Sequence, residues 1–333
     1  MAETLDIAYL YARVCGAFSN MRLGDKAGEL MQNSGGIVGL WRLLFDEEAP
    51  SIVEARLVFE AERRIIKRAI DNFVRLTKPF SDSSEFIRAL ISKYEISTIK
   101  SMLFRLRSGE PKPEATTYFS NIIGQALARW PRITDMFSDT PYSWLDSHWL
   151  DKIAMAENEL DKQYYLELWK TALGLPRQKV GAIPELIRWE VIYQNIVWAI
   201  RMSRYYGLSK EDIADTLVYL PQEDTTSLAL ETFSYDLERI GSFDSWRLKK
   251  LLSNQTGMVL DVPALEIRVL EDLFFMVRRS LHLYPFSYTP IYCYFKLLDY
   301  ETSLLLAVLE STRLSVTPEE KIKYVWIPGG GTA

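Results

Sequence analysis

The spacing of apolar residues constrains this chain most, because they recur at helical intervals in nearly every long segment. A helix returns a side chain to the same face every 3.6 residues and a strand every second residue, so each pattern buries a different surface. Ile96, Ile99, Leu103 and Leu106 stand at i, i+3, i+7 and i+10, which predicts a helix over Ile87–Arg107 with one apolar stripe. Leu160, Tyr164 and Leu168 do the same over 157–173, with Asp161, Lys162, Glu167 and Lys170 on the remaining surface. Over Ile187–Ile200, Val191, Ile192, Ile196, Val197 and Trp198 surround the axis, which predicts a helix covered on most sides and lying deep. Tyr300, Leu304, Val308 and Leu309 mark a further stripe beginning just beyond Pro290. The fold class expected from this spacing is all-α.

Breakers separate the helical segments at Gly109–Pro113, Asp139–Pro141, Gly174–Pro176, Gly181–Pro184, Leu220-Pro221, Val262-Pro263 and Leu283–Pro290. Thr317-Pro-Glu-Glu320 predicts a helix start: Thr317 can cap, Pro318 fits the first helical position and Glu320 can reach back to the cap N–H. Ser209-Lys-Glu-Asp212 is a weaker version of the same signal. The tail from Pro328 to Ala333 has little to bury and is expected to fray.

Composition removes several classes. With 333 residues, 48% hydrophobic and 25% charged, the chain can build one large domain or several smaller ones around a sizeable core. A net charge of -5 argues against nucleic acid as a partner, since phosphate binding needs clustered Lys and Arg. The longest stretch without a charge, Ser280–Phe295, contains Pro285, Pro290 and His282, so no transmembrane segment is expected. The opening Met-Ala-Glu-Thr-Leu-Asp carries acids where an export signal carries bases, which points to a cytoplasmic location. Cys15 and Cys293 each sit among apolar residues and are expected as buried thiols, not as a disulfide.

Three segments read as copies of one unit. Ile91-Ser-Lys-Tyr-Glu95, Leu186-Ile-Arg-Trp-Glu190 and Leu297-Leu-Asp-Tyr-Glu301 each place an aromatic before a glutamate at the head of a long apolar helix. A breaker and an acid follow each copy about 20 residues on, at Glu114, Glu211 and Glu319. Copies roughly 100 residues apart are too widely spaced for the common short helical repeats and suggest a triplicated helical unit.

Catalytic patterns are missing from the sequence. No phosphate-loop, His-Glu-x-x-His or Cys-x-x-Cys pattern occurs, so no cofactor or metal site is expected. His148, in a Trp-rich stretch, and His282, beside an apolar turn, read as structural or surface histidines, and a Cys293–His282 pair has no support in the spacing. Arg63, Arg64, Lys67 and Arg68 read as a solvated helix face balanced by Glu54, Glu60 and Glu62. The 9 Trp, 18 Tyr and 15 Phe fall at core spacing rather than as a ligand cage. Glu95, Glu190 and Glu301 are read as first-turn carboxylates that complement the helix dipole or pair with an arginine.

Four stretches in order carry a family resemblance: Ile7-Ala-Tyr-Leu-Tyr-Ala-Arg-Val14, Leu30-Met-Gln-Asn-Ser-Gly-Gly-Ile37, Tyr94-Glu-Ile-Ser-Thr-Ile-Lys100 and Glu159-Leu-Asp-Lys-Gln-Tyr-Tyr165. From about Ile7 to Trp326 the chain resembles the C subunit of the A-type and bacterial V-type rotary ATPases, known as the d subunit in eukaryotic V-ATPases. The resemblance implies three similar helical domains around a pseudo-threefold axis in a funnel, here 1–115, 116–215 and 216–333, with a flexible C-terminal tail. It also implies a non-catalytic coupling that joins central-stalk subunits to the cytoplasmic face of the membrane rotor ring, as a peripheral protein. The sequence departs from the family twice: the Asn expected shortly after the second glutamate is Asn195, and Gln222 follows Leu220-Pro221 where the family often has Gly. No partner-contact residue is transferred, so Glu95, Glu190 and Glu301 stand as a structural repeat signature. The competing readings are a helical scaffold for soluble partners and an isoprenoid-processing enzyme; the latter requires an Asp-Asp-x-x-Asp cluster, which the chain lacks.

Overall fold

The computed structural model describes residues 2–33, 35–80, 83–113, 121–253, 255 and 257–330, and among them the regular structure is entirely helical. The helices of seven residues or more are α1 (Ala2–Ser19), α2 (Gly36–Phe45), α3 (Glu54–Thr77), α4 (Ser84–Arg107), α5 (Asn121–Ala128), α6 (Ile153–Leu173), α7 (Ile183–Tyr206), α8 (Val262–Leu283), α9 (Thr289–Arg313) and α10 (Pro318–Tyr324). The four helices expected from apolar spacing are α4, α6, α7 and α9, each beginning one to four residues before the spacing alone would start it. Both cap signals hold. Thr317 and Glu320 form a reciprocal capping box ahead of α10, and the Ser209 hydroxyl accepts the Asp212 N–H at the start of a short helix.

The chain divides into two compact units. The first comprises Met1–Ser81, Pro176–Ile183 and Ile267–Ala333, and the second Asp82–Leu175 and Pro184–Glu266.

In the first unit α9 forms the core, with α1, α2 and α3 packed against it. Every residue from Ser287 to Tyr300 is buried. A helix enclosed on all sides has no polar face, which is why the sequence there is a continuous apolar run and not a stripe. Phe73 of α3 meets Phe295 edge-on at 5.2 Å between ring centroids. The one charged pair in this run, Lys296 and Asp299, is buried together at 3.8 Å, as buried charges must be to offset desolvation. The outer face of α3 carries the basic cluster, and its partners are only partly those expected. Arg63 pairs with Glu60 at 3.5 Å, whereas Arg64 pairs with Glu47 and Lys67 with Asp71, and Arg68 donates to the Leu44 carbonyl at 3.0 Å.

The end of the described chain is held. Trp326 stands edge-on to Tyr300 at 5.5 Å, and the Gly24 N–H donates to the Pro328 carbonyl at 2.9 Å. Fraying therefore does not extend to Pro328–Gly330, and the expectation for 331–333 falls outside the described residues.

In the second unit α4 packs along α6, burying Ile96, Ile99 and Leu103 on one helix and Leu160, Tyr164 and Leu168 on the other. Lys100 and Asp161, paired at 2.6 Å, join the same two helices at their edge. Helix α7 buries Val191, Ile192, Ile196 and Ile200. Trp198, expected deep, is only half-buried. Its indole N–H donates to the Thr216 hydroxyl at 2.8 Å, so a polar loop lies against that face of α7.

Candidate functional site

Each glutamate of the repeat signature lies well inside its helix: Glu95 in α4, Glu190 in α7 and Glu301 in α9. The expected first-turn position is therefore wrong, because helical sequence continues upstream through Ser84, Ile183 and Thr289. A dipole contact cannot explain carboxylates so far from a terminus, since that effect fades within the first turn.

Hydrogen bonding explains them instead. The Tyr142 hydroxyl donates to Glu95 Oε1 at 2.9 Å, and the Tyr165 hydroxyl donates to Glu190 Oε1 at 3.1 Å. The Arg22 backbone N–H donates to Glu301 Oε1 at 2.7 Å. Glu95 and Glu190 are buried and Glu301 is half-buried, and a carboxylate so placed requires such donors. Burial, and then the neighbouring Glu95 charge, push the Tyr142 hydroxyl far above its ordinary pKa. Burial and Glu190 do the same to Tyr165. Both hydroxyls thus stay protonated donors over the whole neutral range. The three carboxylates accept from three different donors. The Glu114 position of the first copy lies outside the described residues.

Asn195 of α7 has a structural role of its own. It is buried, its amide donates to the Val218 and Thr225 carbonyls at 2.8 Å each, and its Oδ1 accepts the Val218 N–H at 2.8 Å. One side chain therefore pins the loop after Leu217. Asn158 and Lys162 of α6 add bonds to the Thr216 and Asp215 carbonyls. Within this loop Gln222 adopts φ of +69°, the left-handed region where glycine is at ease. A glutamine adopts it here without the freedom of glycine.

The remaining candidates lie apart from these contacts. His148 is exposed against Trp149, and His282 Nδ1 lies 2.9 Å from the Tyr11 hydroxyl. Cys293 is fully buried, and burial alone pushes its thiol pKa up, which makes it unreactive. Cys15 is half-buried, contrary to expectation, because it lies on the flank of α1, and both cysteines are free. Among the described residues no group of His, Cys, Asp or Glu could hold a metal ion, and no helix is long and apolar enough to cross a membrane.

Sequence reasoning missed Tyr142, Tyr165 and Arg22, the donors that give the glutamates their role. It also missed an exposed apolar set at the end of α8, including Phe275, Leu283 and Phe286. Its signal is a second apolar line on α8, offset from the buried line of Val269, Phe274, Val277 and Leu281.

Known proteins bear on these features. The model of the ATP synthase (C/AC39) subunit family matches residues 52–324, which include all three glutamates. An uncharacterized protein of Treponema pallidum (strain Nichols) is 25% identical over 332 residues, covering 93% of this chain and 94% of its own length. The A-type ATP synthase C subunit of Methanosarcina acetivorans is 26% identical over 264 residues, covering 74% of this chain and 70% of its own. The protein of that name from Methanosarcina mazei is 27% identical over 209 residues, covering 58% and 57%.

Proposed function

This chain belongs to the ATP synthase (C/AC39) subunit family, and from that membership we propose that it is the non-catalytic central-axis subunit of a rotary V/A-type ATPase. In this reading it joins the central-stalk subunits to the cytoplasmic face of the membrane rotor ring and passes torque between them during ion transport or ATP synthesis. It works as a peripheral protein and has no reaction of its own.

The observation that carries the reading is the family match across most of the chain. The packing supports it. A coupling must not deform under load, and close-packed helical interiors resist deformation. The signature glutamates fit a structural part, since each fixes a helix to a distant segment by a hydrogen bond. The proposed organisation is three similar helical domains, 1–115, 116–215 and 216–333, in a funnel about a pseudo-threefold axis, with one signature glutamate in each.

Affinity purification of the protein from gently solubilised native membranes tests this. Co-purification of a small ring-forming proteolipid with central-stalk and nucleotide-binding subunits is the expected result. Recovery of soluble partners only, with the protein absent from membranes, overturns the reading in favour of a soluble scaffold.

A further inference from the structure

The geometry points to an anionic lipid surface as the seat of the outward face of α8, from Phe275 to the α8–α9 connection. This goes beyond the coupling role and does not depend on it.

Phe275, Arg278, Arg279, His282 and Leu283 are all exposed. At 100° per residue they fall within an arc of about 140°, opposite the buried line of the same helix. Phe286, in the turn just beyond the helix end, is 66% exposed, with Leu283 at 58% and Phe275 at 55%. Isolated exposed apolar residues are ordinary, but two on one helix face interleaved with cations, with a third in the adjoining turn, form a patch.

Charge decides what the patch fits. Nearer the start of the helix, Arg268 pairs with Glu271 at 2.9 Å and Asp272 at 3.7 Å, so its charge is already matched and that segment is net negative. From Asp272 onward the chain carries no acid until Asp299, which is buried with Lys296. Arg278 lies over the Phe18 and Phe274 rings at 5.8 and 5.6 Å and remains exposed. Neither Arg278 nor Arg279 has a carboxylate partner among the described residues. The face is therefore cationic as well as apolar and fits an anionic partner.

Shape selects lipid over protein. The apolar side chains stand out from a helix end and turn and offer about 400 Å² between them, half of what a stable protein interface buries per partner. Aromatic and aliphatic side chains that enter the acyl boundary while arginines meet the headgroups need no matching concave surface. The turn is also stiff. Ser287 and Tyr288 are buried, and the Tyr288 N–H donates to the Lys179 carbonyl at 2.6 Å, which holds Phe286 outward.

The test is sedimentation of the full-length chain with phosphatidylglycerol–phosphatidylcholine vesicles and with phosphatidylcholine alone. Binding to the anionic vesicles at least about tenfold tighter, and weakened at about 1 M salt, is expected. Leu283→Ser with Phe286→Ser, and separately Arg279→Glu, should each lower it about tenfold with an unchanged melting curve. Equal binding to both vesicles, no binding, or variants that bind like wild type would overturn the proposal. Purification of the same variants from membranes separates the two readings. If wild type ignores vesicles but brings down rotary subunits, the lipid seat is wrong and the coupling role stands. If it ignores vesicles and the variants lose those subunits, the face is a protein interface instead.

Discussion

Replacing Gly181 by alanine should cost far more than one methyl group suggests. Gly181 has φ of +56°, a conformation that costs an L side chain about 1–2 kcal/mol. A Cβ there would overlap Thr289 Oγ1 and Ser287 Oγ and lie 2.9 Å from Ser287 Cβ. Neither neighbour can move aside freely. Both are buried, Thr289 Oγ1 accepts the Ala182 N–H at 3.0 Å, and Ser287 Oγ donates to the Tyr284 carbonyl at 2.9 Å. Strain from overpacking, or the loss of one of these buried bonds, adds about 1–3 kcal/mol. The expected total is about 2–5 kcal/mol, a large part of the stability of an ordinary domain. Gly207→Ala is the control, because Gly207 has φ of +63° and open space where a Cβ would go. It should cost only the backbone share, about 1–2 kcal/mol. Guanidinium unfolding followed by far-UV circular dichroism measures both, provided the m-value is unchanged. Equal midpoint losses in the two variants would refute the steric reasoning.

Three further outcomes follow from the same kind of reading. Gln222→Gly should raise stability by about 0.5–1 kcal/mol, as relief of the left-handed backbone outweighs the extra freedom of the unfolded glycine, and a lower denaturation midpoint would count against it. Asn195→Ala should lower stability by about 3 kcal/mol or more by stranding buried loop groups, and faster amide exchange confined to residues near Val218 would accompany it. Lys321 is buried with the Thr312 hydroxyl 2.8 Å away, and desolvation lowers its pKa below the ordinary lysine value. The folded state therefore disfavours the charged form, and that penalty is full below the folded pKa and is relieved as pH rises towards 10.5. Lys321→Met should be more stable than wild type at pH 7 by about 1 kcal/mol, with an advantage that shrinks at alkaline pH. An advantage constant with pH would refute the titration argument.

What could be read from the sequence was what is decided locally. The capping box at Thr317 needs only residues within one turn, and the apolar stripes of α4 and α6 need only helical spacing. The depth of Trp198 could not be read that way. Spacing says that apolar residues surround the α7 axis but not what covers each side, and here the cover is the loop held by Asn195. The basic cluster reads as balanced by Glu54, Glu60 and Glu62 of its own helix, yet Arg64 meets Glu47, which the chain brings back from before α3. The donors to Glu95 and Glu301 lie 47 and 279 residues away in sequence. No window a few turns long contains both halves of such a contact. The aromatic–glutamate pairs were thus visible as a repeat while their role was not.

That role has a measurable consequence, because each glutamate follows an aromatic residue but they do not share a kind of donor. Glu95 and Glu190 accept from tyrosine hydroxyls, which titrate, whereas Glu301 accepts from the Arg22 main chain, which does not. Tyr142 has a folded pKa raised above its unfolded value, first by burial and then by Glu95. Its contribution to stability is therefore fully present below about pH 10 and is lost as pH rises beyond that value, where the unfolded chain gives up the proton and the folded chain keeps it. Tyr142→Phe removes a donor to a buried carboxylate and should cost about 1–3 kcal/mol at pH 8. Above pH 10 the gap between variant and wild type should narrow, since only wild type has this proton to lose. A gap that stays constant up to about pH 11 would show that folding does not raise the Tyr142 pKa. No gap at pH 8 would show that Glu95 does not rely on this bond.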